Sequence, residues 1–563
     1  MCRLCDEGKP QDHSGSQLGR RDFLKTAAAT GVAATGLNLF ATRPAAADGG
    51  RAPEDSGRHG RRYIIRGGAV MTMDPSMPNK GEFAKADVLI EGKKILAVGP
   101  NLHAGGADEI DARGKIVMPG FIDTHHHQFE TALRSFLADG VLINDLSGSL
   151  SGSTTYYEFI LNKFAPVYRP EDVYINELFG GLSQLDAGVT TVHDVSQISH
   201  SSAHSDQAIQ ALIDTGRRAA FGYFESAGNF GAGVPGNLYP QDADRIYNTW
   251  FSPNNLSRNG LVHMIMGGEV YLGPASTDNS WTIGRRLGLQ IAAHILSPFG
   301  IRPIFDDLAA GKGGNGGIGI GPDNLFIHMT GMSNTAWQKV KDVGAQVSIA
   351  FPIEMNMRHG MPPILRVQNL GMEPSLSVDV ECTLTADFFT QMRSAMNLQR
   401  VLVNQMILDS PNGNQNLPDP LDWGLPQSAV TVPPPSFPYF PKPPAGIPAP
   451  LTTREVLRYA TMNGAKALRL DGKVGSLTPG KEADILILDA TAINVAPLNQ
   501  VPGAVVSLMD RTNVETVIVA GKVRKWRGQL LDVDLPHLRR QLENSRDYLF
   551  NAAGIPQNLF SSQ

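Results

Sequence analysis

Short apolar runs recur through the middle of the chain, and several of them close on a titratable residue. Residues 188–194, 261–266, 289–294, 324–328, 345–350 and 374–379 are such runs, each of strand length. Between them lie stretches with helical spacing of apolar positions, for example residues 174–187 and 334–343. Strands alternating with helices of this length predict a parallel sheet covered by helices, and this many of them predict an α/β fold of the closed (β/α)8 TIM-like barrel kind. Runs with β character also stand at both flanks, at residues 63–73, 86–99 and 115–120 and again at 484–489 and 514–523, punctuated by turn residues. We expect the two flanks to pair in one small β-sandwich built from both chain ends, with the barrel inserted between them.

One stretch carries chemistry as well as pattern: Pro119-Gly120-Phe121-Ile122-Asp123-Thr124-His125-His126-His127-Gln128. Strand alternation predicts Asp123, His125 and His127 on one face and Thr124 and His126 on the other. Two neutral imidazoles at i and i+2 on a rigid element are a pair of ligands for zinc or a related divalent ion. In a barrel the site gathers at the C-terminal ends of the strands. His125, His127, His294, His328 and Asp379 all fall there, which predicts a metal site. His193 and His263 also end or interrupt strands and read as core or supporting residues.

Composition narrows the class of function. The chain has 563 residues, 42% hydrophobic and 18% charged, which is ordinary globular composition with room for more than one domain. A net charge of -5 offers no basic field for nucleic acid, so a small-molecule substrate is expected. Three cysteines, Cys2, Cys5 and Cys382, exclude a disulfide framework. The first two have C-x-x-C spacing but lie in a segment expected to be removed.

That segment is Gly19-Arg20-Arg21-Asp22-Phe23-Leu24-Lys25, the mildly apolar residues 26–41, and Ala45-Ala46-Ala47. It resembles a bacterial twin-arginine signal peptide over residues 1–47. The resemblance implies passage through the twin-arginine export machinery and a periplasmic location. The apolar run is too short and too weakly hydrophobic for a stable membrane anchor. A polar linker, residues 48–61, follows.

The chain is also similar to the amidohydrolase superfamily, in particular its cytosine deaminase and chlorohydrolase-like branch. The matching pieces are the histidine stretch from Met118, His294, His328 with the helix and Gly344-Ala345 after it, and Asp379. The tail matches in Leu451-Thr452-Thr453-Arg454-Glu455, in Ala460-Thr461-Met462-Asn463-Gly464-Ala465 and in Gly475-Ser476-Leu477-Thr478-Pro479-Gly480-Lys481-Glu482-Ala483-Asp484. The resemblance covers residues 62–528. With the signal peptide (1–47) set apart, we expect a composite β-sandwich (62–118 and 451–528), a hydrolase barrel (119–410), a Pro-rich insertion (411–450) and a C-terminal helical tail (529–563).

It further implies that His125, His127, His294 and Asp379 hold one divalent metal ion, zinc with iron as the alternative, and that Asp379 and His328 are catalytic. Asp379 would take the proton of the attacking water and His328 would orient that water or polarise the substrate. The implied activity is cleavage of a non-peptide C–N bond in a small cyclic or aromatic substrate by metal-bound hydroxide. The alternatives are a deaminase or dehalogenase of an amino- or chloro-heterocycle and, from another class, a non-catalytic binding protein on the same barrel. No lysine at a matching strand end suggests a bridge between two metals. A homo-oligomer is compatible with all of this.

The sequence departs from the branch at Ser297, where its deaminases carry a glutamate three residues after the strand histidine. Glu269, Glu354 and Glu381 are the substitutes the sequence offers, with salt bridges or solvated surface as their ordinary role. Residues 432–441, with Phe437, Tyr439 and Phe440 among prolines, predict an extended loop that is a surface strap or a lid. Residues 311–321 hold seven glycines in eleven positions without the order of a phosphate-binding loop.

Overall fold

The chain lays down two sheets and passes from one to the other at Gly120. The structure, a computed structural model, describes residues 51–144, 155–227, 238–253, 260–312, 319–408 and 446–560. From residue 52 onward these belong to one unit. The signal-like segment with Cys2 and Cys5, the Pro-rich residues 411–445 with Phe437, Tyr439 and Phe440, and residues 313–318 of the glycine-rich loop lie outside the described residues.

The strands in chain order are β1 (Arg62–Met71), β2 (Glu82–Glu91), β3 (Lys94–Gly99), β4 (Asp108–Asp111) and β5 (Lys115–Pro119), then β6 (Phe121–His127), β7 (Val189–Ser196), β8 (Arg218–Tyr223), β9 (Val262–Gly267), β10 (Gln290–Leu296), β11 (Asn324–Thr330), β12 (Gln346–Ile349), β13 (Ser375–Leu376) and β14 (Asp379–Val380). The tail adds β15 (Ile485–Asp489), β16 (Val514–Val519), β17 (Lys522–Trp526) and β18 (Gln529–Leu530).

The flanks pair as their pattern predicts. One mixed sheet runs β18-β17-β16-β15-β5-β1-β2-β3, with β4 on β1. The junction of the two chain ends is the antiparallel β5–β15 pair, in which Val117 faces Ile487 and Met118 faces Leu486. Its apolar face has a core of its own, including Tyr63, Val88, Ile90, Val117, Ile485 and Ile518.

The second sheet is parallel and runs β13-β12-β11-β10-β9-β8-β7-β6-β14. Its two end members, β13 and β14, are fragments separated by only Ser377 and Val378, yet one pairs with β12 and the other with β6. The nine-stranded path therefore curls back upon itself. Helices such as Pro170–Asp186 and Asn334–Val343 supply the crossovers, where residues 174–187 and 334–343 are predicted. Among helices of the described residues, none is long and apolar enough to cross a membrane.

One apolar cluster takes Ile122 from β6, Ala220 from β8, Ile265 from β9, Ala292 from β10 and Leu325 and Ile327 from β11, and joins them to Ala465 and Leu468 of the tail. Two residues further along β10, alternation puts His294 on the same face as Ala292. The tail motif is structural. Asp484 and Glu482 receive the buried Arg218 guanidinium, with Nη2 donating to Glu482 Oε2 at 2.8 Å and to Asp484 Oδ1 at 3.1 Å. Thr452 and Glu455 form a reciprocal capping box on helix Thr453–Ala460.

Candidate metal centre

Strict alternation fails in β6, and the failure builds the site. Asp123 pairs with Val192 and His126 with Asp194, so three steps on β6 match two on β7, a β-bulge. Thr124 bonds inward, with its Oγ1 2.7 Å from Ser348 Oγ and 2.8 Å from Ser375 Oγ. Asp123 points the other way and accepts from Gln184 Nε2, at 2.7 Å, on helix Pro170–Asp186. The expectation that Asp123 shares a face with His125 is therefore corrected: the extra residue in the strand turns both His125 and His127 inward, with Asp123 behind them. His126 lies with Glu381, 3.7 Å from Nε2 to Oε1.

The predicted ligand residues come together. His125 Nε2 lies 3.0 Å from His127 Nε2 and 3.0 Å from His294 Nε2. Asp379 Oδ1 is 3.6 Å from both His125 Nε2 and His127 Nε2, and Asp379 Oδ2 is 3.6 Å from His328 Nε2. Two triads, His125–His127–His294 and His125–His328–Asp379, each have ligand atoms within 4.8 Å of one another. His328 and Asp379 both adopt left-handed backbone, φ 70° and 71°. Such conformations cost about 1–3 kcal/mol each for a residue with a side chain, and they cluster at functional sites.

The electrostatics suit a cation. Burial pushes the His125, His127 and His328 imidazoles well below their ordinary range, so each presents a neutral ring with a lone pair. Nδ1 of His125 has no hydrogen-bond partner among the described residues. Burial raises Asp379 to about 7, with His294 opposing. Three inward nitrogens and a carboxylate that lack enough protons to satisfy one another are the donor set of a divalent site, and their chemistry favours zinc.

Two buried glutamates stand behind the histidines, where sequence reasoning gave them only ordinary roles. Glu269 Oε2 accepts from the His294 backbone N–H at 2.9 Å while Oε1 is bonded to Nδ1. Burial would lower His294, but the Glu269 charge and hydrogen bond outweigh it and raise it. Glu354 Oε1 lies 2.9 Å from His328 Nδ1, and burial raises Glu354 well above the carboxylate range. Neither carboxyl is free to act on a substrate; each fixes an imidazole. Glu381 is held by Arg134, whose Nε donates to Oε2 at 2.6 Å. His193 is buried, with Nδ1 3.0 Å from Thr124 O, and His263 is half-buried on β9.

A cavity of about 590 Å³ opens on this cluster, lined by His127, His294, His328 and Asp379 and by apolar side chains including Leu142, Leu161, Leu296 and Phe299. His359, also on its wall, has Nε2 4.0 Å from Asp379 Oδ2. Sequence reasoning missed His359, Tyr156, Gln197 and Tyr271. His359 lies on a polar turn beyond a short helix, where nothing in the periodicity marks it.

Ser297 begins the turn after β10 and its side chain is exposed rather than on the cavity wall.

Comparison with known proteins agrees with this architecture. Residues 448–524 match the model of the amidohydrolase family. The chain is 23% identical over 482 residues to a 5'-deoxyadenosine deaminase of Methanosarcina barkeri, covering 82% of this chain and 92% of that one. An adenosine deaminase from Xanthomonas campestris with bound zinc superposes with a TM-score of 0.65 at 18% identity, over 88% of this chain and 99% of that one. A mutant atrazine chlorohydrolase from Arthrobacter aurescens, complexed with zinc and atraton, gives 0.60 at 20% identity, over 86% and 100%. The relatives and the tail match together support the amidohydrolase superfamily for this chain.

Proposed function

We propose that the protein removes an exocyclic amine by hydrolysis from a neutral, flat nitrogen heterocycle, using one divalent ion, zinc first, held by His125, His127, His294 and Asp379. The observation that carries this is the convergence of three imidazole Nε2 atoms and the Asp379 carboxylate at the floor of an apolar cavity. A divalent ion bound there supplies Lewis acidity that brings the pKa of water from about 15.7 toward about 7. The curl of the parallel sheet is then a closed (β/α)8 barrel in which β13 and β14 are one interrupted strand, and the end sheet folds over its own core as a sandwich. The branch is the cytosine deaminase and chlorohydrolase-like one.

The chain's own residues divide the work. Asp379, whose Oδ1 lies 3.6 Å from both His125 Nε2 and His127 Nε2, takes the proton of the attacking water. His328 donates from Nε2 to the substrate or to the developing negative charge, because the buried Glu354 keeps its proton and donates it to Nδ1. The cavity volume suits one small ligand. Among the described residues no lysine or arginine lines it, which disfavours a carboxylate or phosphate on the substrate.

A second reading, displacement of chloride from a chloro-heterocycle, is favoured by Ser297: chloride leaves without a proton, so the missing acid costs that reaction less. Export by the twin-arginine route, a periplasmic location and a homo-oligomer remain part of the proposal on the strength of the N-terminal sequence and composition alone. Metal analysis of the purified protein and of His294→Ala, followed by a screen of amino- and chloro-heterocycles, tests the reading. About one zinc per chain, lost in the variant, with turnover of an amino-heterocycle, is expected. Absence of metal uptake would instead support a binding protein.

A further inference from the structure

The departure at Ser297 leaves amine hydrolysis without its usual proton donor, and a buried group on the opposite wall fits that role. Gln197, Glu225 and Tyr271 follow the ends of three successive strands, β7, β8 and β9, Tyr271 in the short helix Val270–Leu272. Tyr271 Oη donates to Glu225 Oε1, and Gln197 Nε2 donates to the same carboxyl oxygen and to Tyr271 Oη, each at 3.0 Å. Glu225 is 1% exposed, and its second oxygen, Oε2, has no hydrogen-bond partner among the described residues. Tyr271 and Gln197 line the cavity, Tyr271 half-buried, so this cluster borders the space a substrate would occupy.

Position joins the cluster to the missing acid. The Tyr271 ring lies 5.7 Å from the ring of Phe299, in the turn Ser297–Phe299 where the family's glutamate would stand. Phe224, the residue before Glu225, has its ring 6.0 Å from that of His294, which puts the cluster on the His294 side of the histidines.

We propose that Tyr271 is the catalytic proton donor to the heterocycle, with Glu225 as the positioning residue that refills it. This rests on the amine-hydrolysis reading above. With Glu225 protonated on Oε1 the bond runs from the carboxyl to Tyr271 Oη and leaves the phenol proton for the substrate; as the oxygen of water bonds to the electrophilic ring carbon, that proton passes to the adjacent ring nitrogen and the Glu225 proton passes to Tyr271 Oη, so no phenolate accumulates. Asp379 carries one proton of the water to the departing amine as the C–N bond breaks. The remaining hydroxyl proton leaves as the product carbonyl forms and restores Glu225. The ring nitrogen keeps the proton it received, and the sum is amine plus water giving lactam plus ammonia. Burial and the neighbouring Glu269 raise Glu225 to about 7, which keeps a proton available at neutral pH.

A second tyrosine–glutamate pair provides the internal contrast. Tyr156 Oη donates to the buried Glu130 Oε1 at 2.6 Å, and its ring lies 6.3 Å from that of His127. We assign the donor to Tyr271 because it alone of the two stands against that turn.

The test uses the zinc-loaded full chain with 5'-deoxyadenosine, adenine and an alkylamino-s-triazine as probes, with kcat and KM measured from about pH 5 to about pH 9. Tyr271→Phe is expected to lower kcat about 10²–10⁴-fold with little change in KM and with metal content retained. Glu225→Gln, isosteric and the check should Tyr271→Phe misfold, is expected to lower kcat and to erase the decline in wild-type kcat above about pH 7. Undiminished kcat in Tyr271→Phe, or loss in Tyr156→Phe while Tyr271→Phe stays active, overturns the assignment and leaves amine hydrolysis standing. No turnover of any probe by the wild-type protein overturns amine hydrolysis, and the donor with it.

Discussion

Glu354 Oε1 sits 2.9 Å from His328 Nδ1 and also accepts the Ala350 backbone N–H at 3.0 Å, so the ring is fixed from behind while its Nε2 faces Asp379. With the carboxyl held protonated by burial, the proton between the two side chains belongs to Glu354, and the ring keeps its own on Nε2. Glu354→Gln can reproduce that donation through its amide N–H, whereas Glu354→Ala cannot. We therefore expect the alanine variant to lose about 10–100-fold in kcat and the glutamine variant to stay within a few-fold of wild type. Equal loss in both would mean that the imidazole needs a carboxylate behind it and works as an imidazolium.

Glu269 makes a comparable arrangement at His294, but through both the ring and the main chain. On the proposed reading its removal loosens a metal ligand rather than a catalytic group. Glu269→Ala is expected to weaken zinc binding about 10–100-fold in competition against a chelator. The melting temperature of the metal-free protein should change much less than that of the metal-loaded one. A variant that keeps wild-type zinc affinity would remove His294 from the ligand set or Glu269 from its support.

Much of this cluster was legible in the sequence, for a physical reason: side chains on regular strands obey the strand period. His294 follows Ala292 at two residues on β10, and the apolar run alone locates it. Asp379 was found although β14 is only two residues long, because the run leading to it is buried. The bulge in β6 was not legible, since it depends on how Asp123 and His126 pair with β7 and not on either residue's identity. Strand β8 went unread because it opens on Arg218 directly after Arg217, a pair that looks like a surface loop. Arg217 is buried, with Nη1 donating to Gln184 Oε1 at 2.6 Å, and Arg218 is neutralised by the distant tail. Missing β8 meant missing Glu225 beyond it.

Glu130 gives a pH dependence that needs no substrate. Burial raises its carboxyl from 4.5 to about 8, against the opposing hydrogen bond from Tyr156. The folded protein therefore binds this proton more tightly than the unfolded chain does. Its contribution to stability is complete below about pH 4.5 and is lost as pH rises through about 8. In the metal-free protein, Glu130→Gln should gain stability relative to wild type across that interval and hold a constant difference above it, as read by denaturant unfolding at several pH values. A difference that is flat with pH would show that Glu130 ionises normally in the folded state.

The passage from the end sheet into β6 is as tightly specified as the site itself. A Cβ at Gly120 would lie 2.1 Å from Thr190 Oγ1, 2.2 Å from its Cγ2 and 2.6 Å from its Cβ, while the Gly120 N–H donates to Asp484 O at 3.1 Å. The backbone is thus held from the tail side and cannot retreat from β7 without losing that bond. Gly120→Ala should destabilise the protein by about 1–3 kcal/mol through overpacking. Because β6 carries His125 and His127 only a few residues on, zinc affinity should fall with it. Thr190→Ala removes two of the three clashing atoms, so the double variant should recover part of the loss, giving a coupling energy of about 0.5 kcal/mol or more in a double-mutant cycle. Additive effects would mean that the strands separate freely at this point, and zinc affinity should then be unaffected by either substitution.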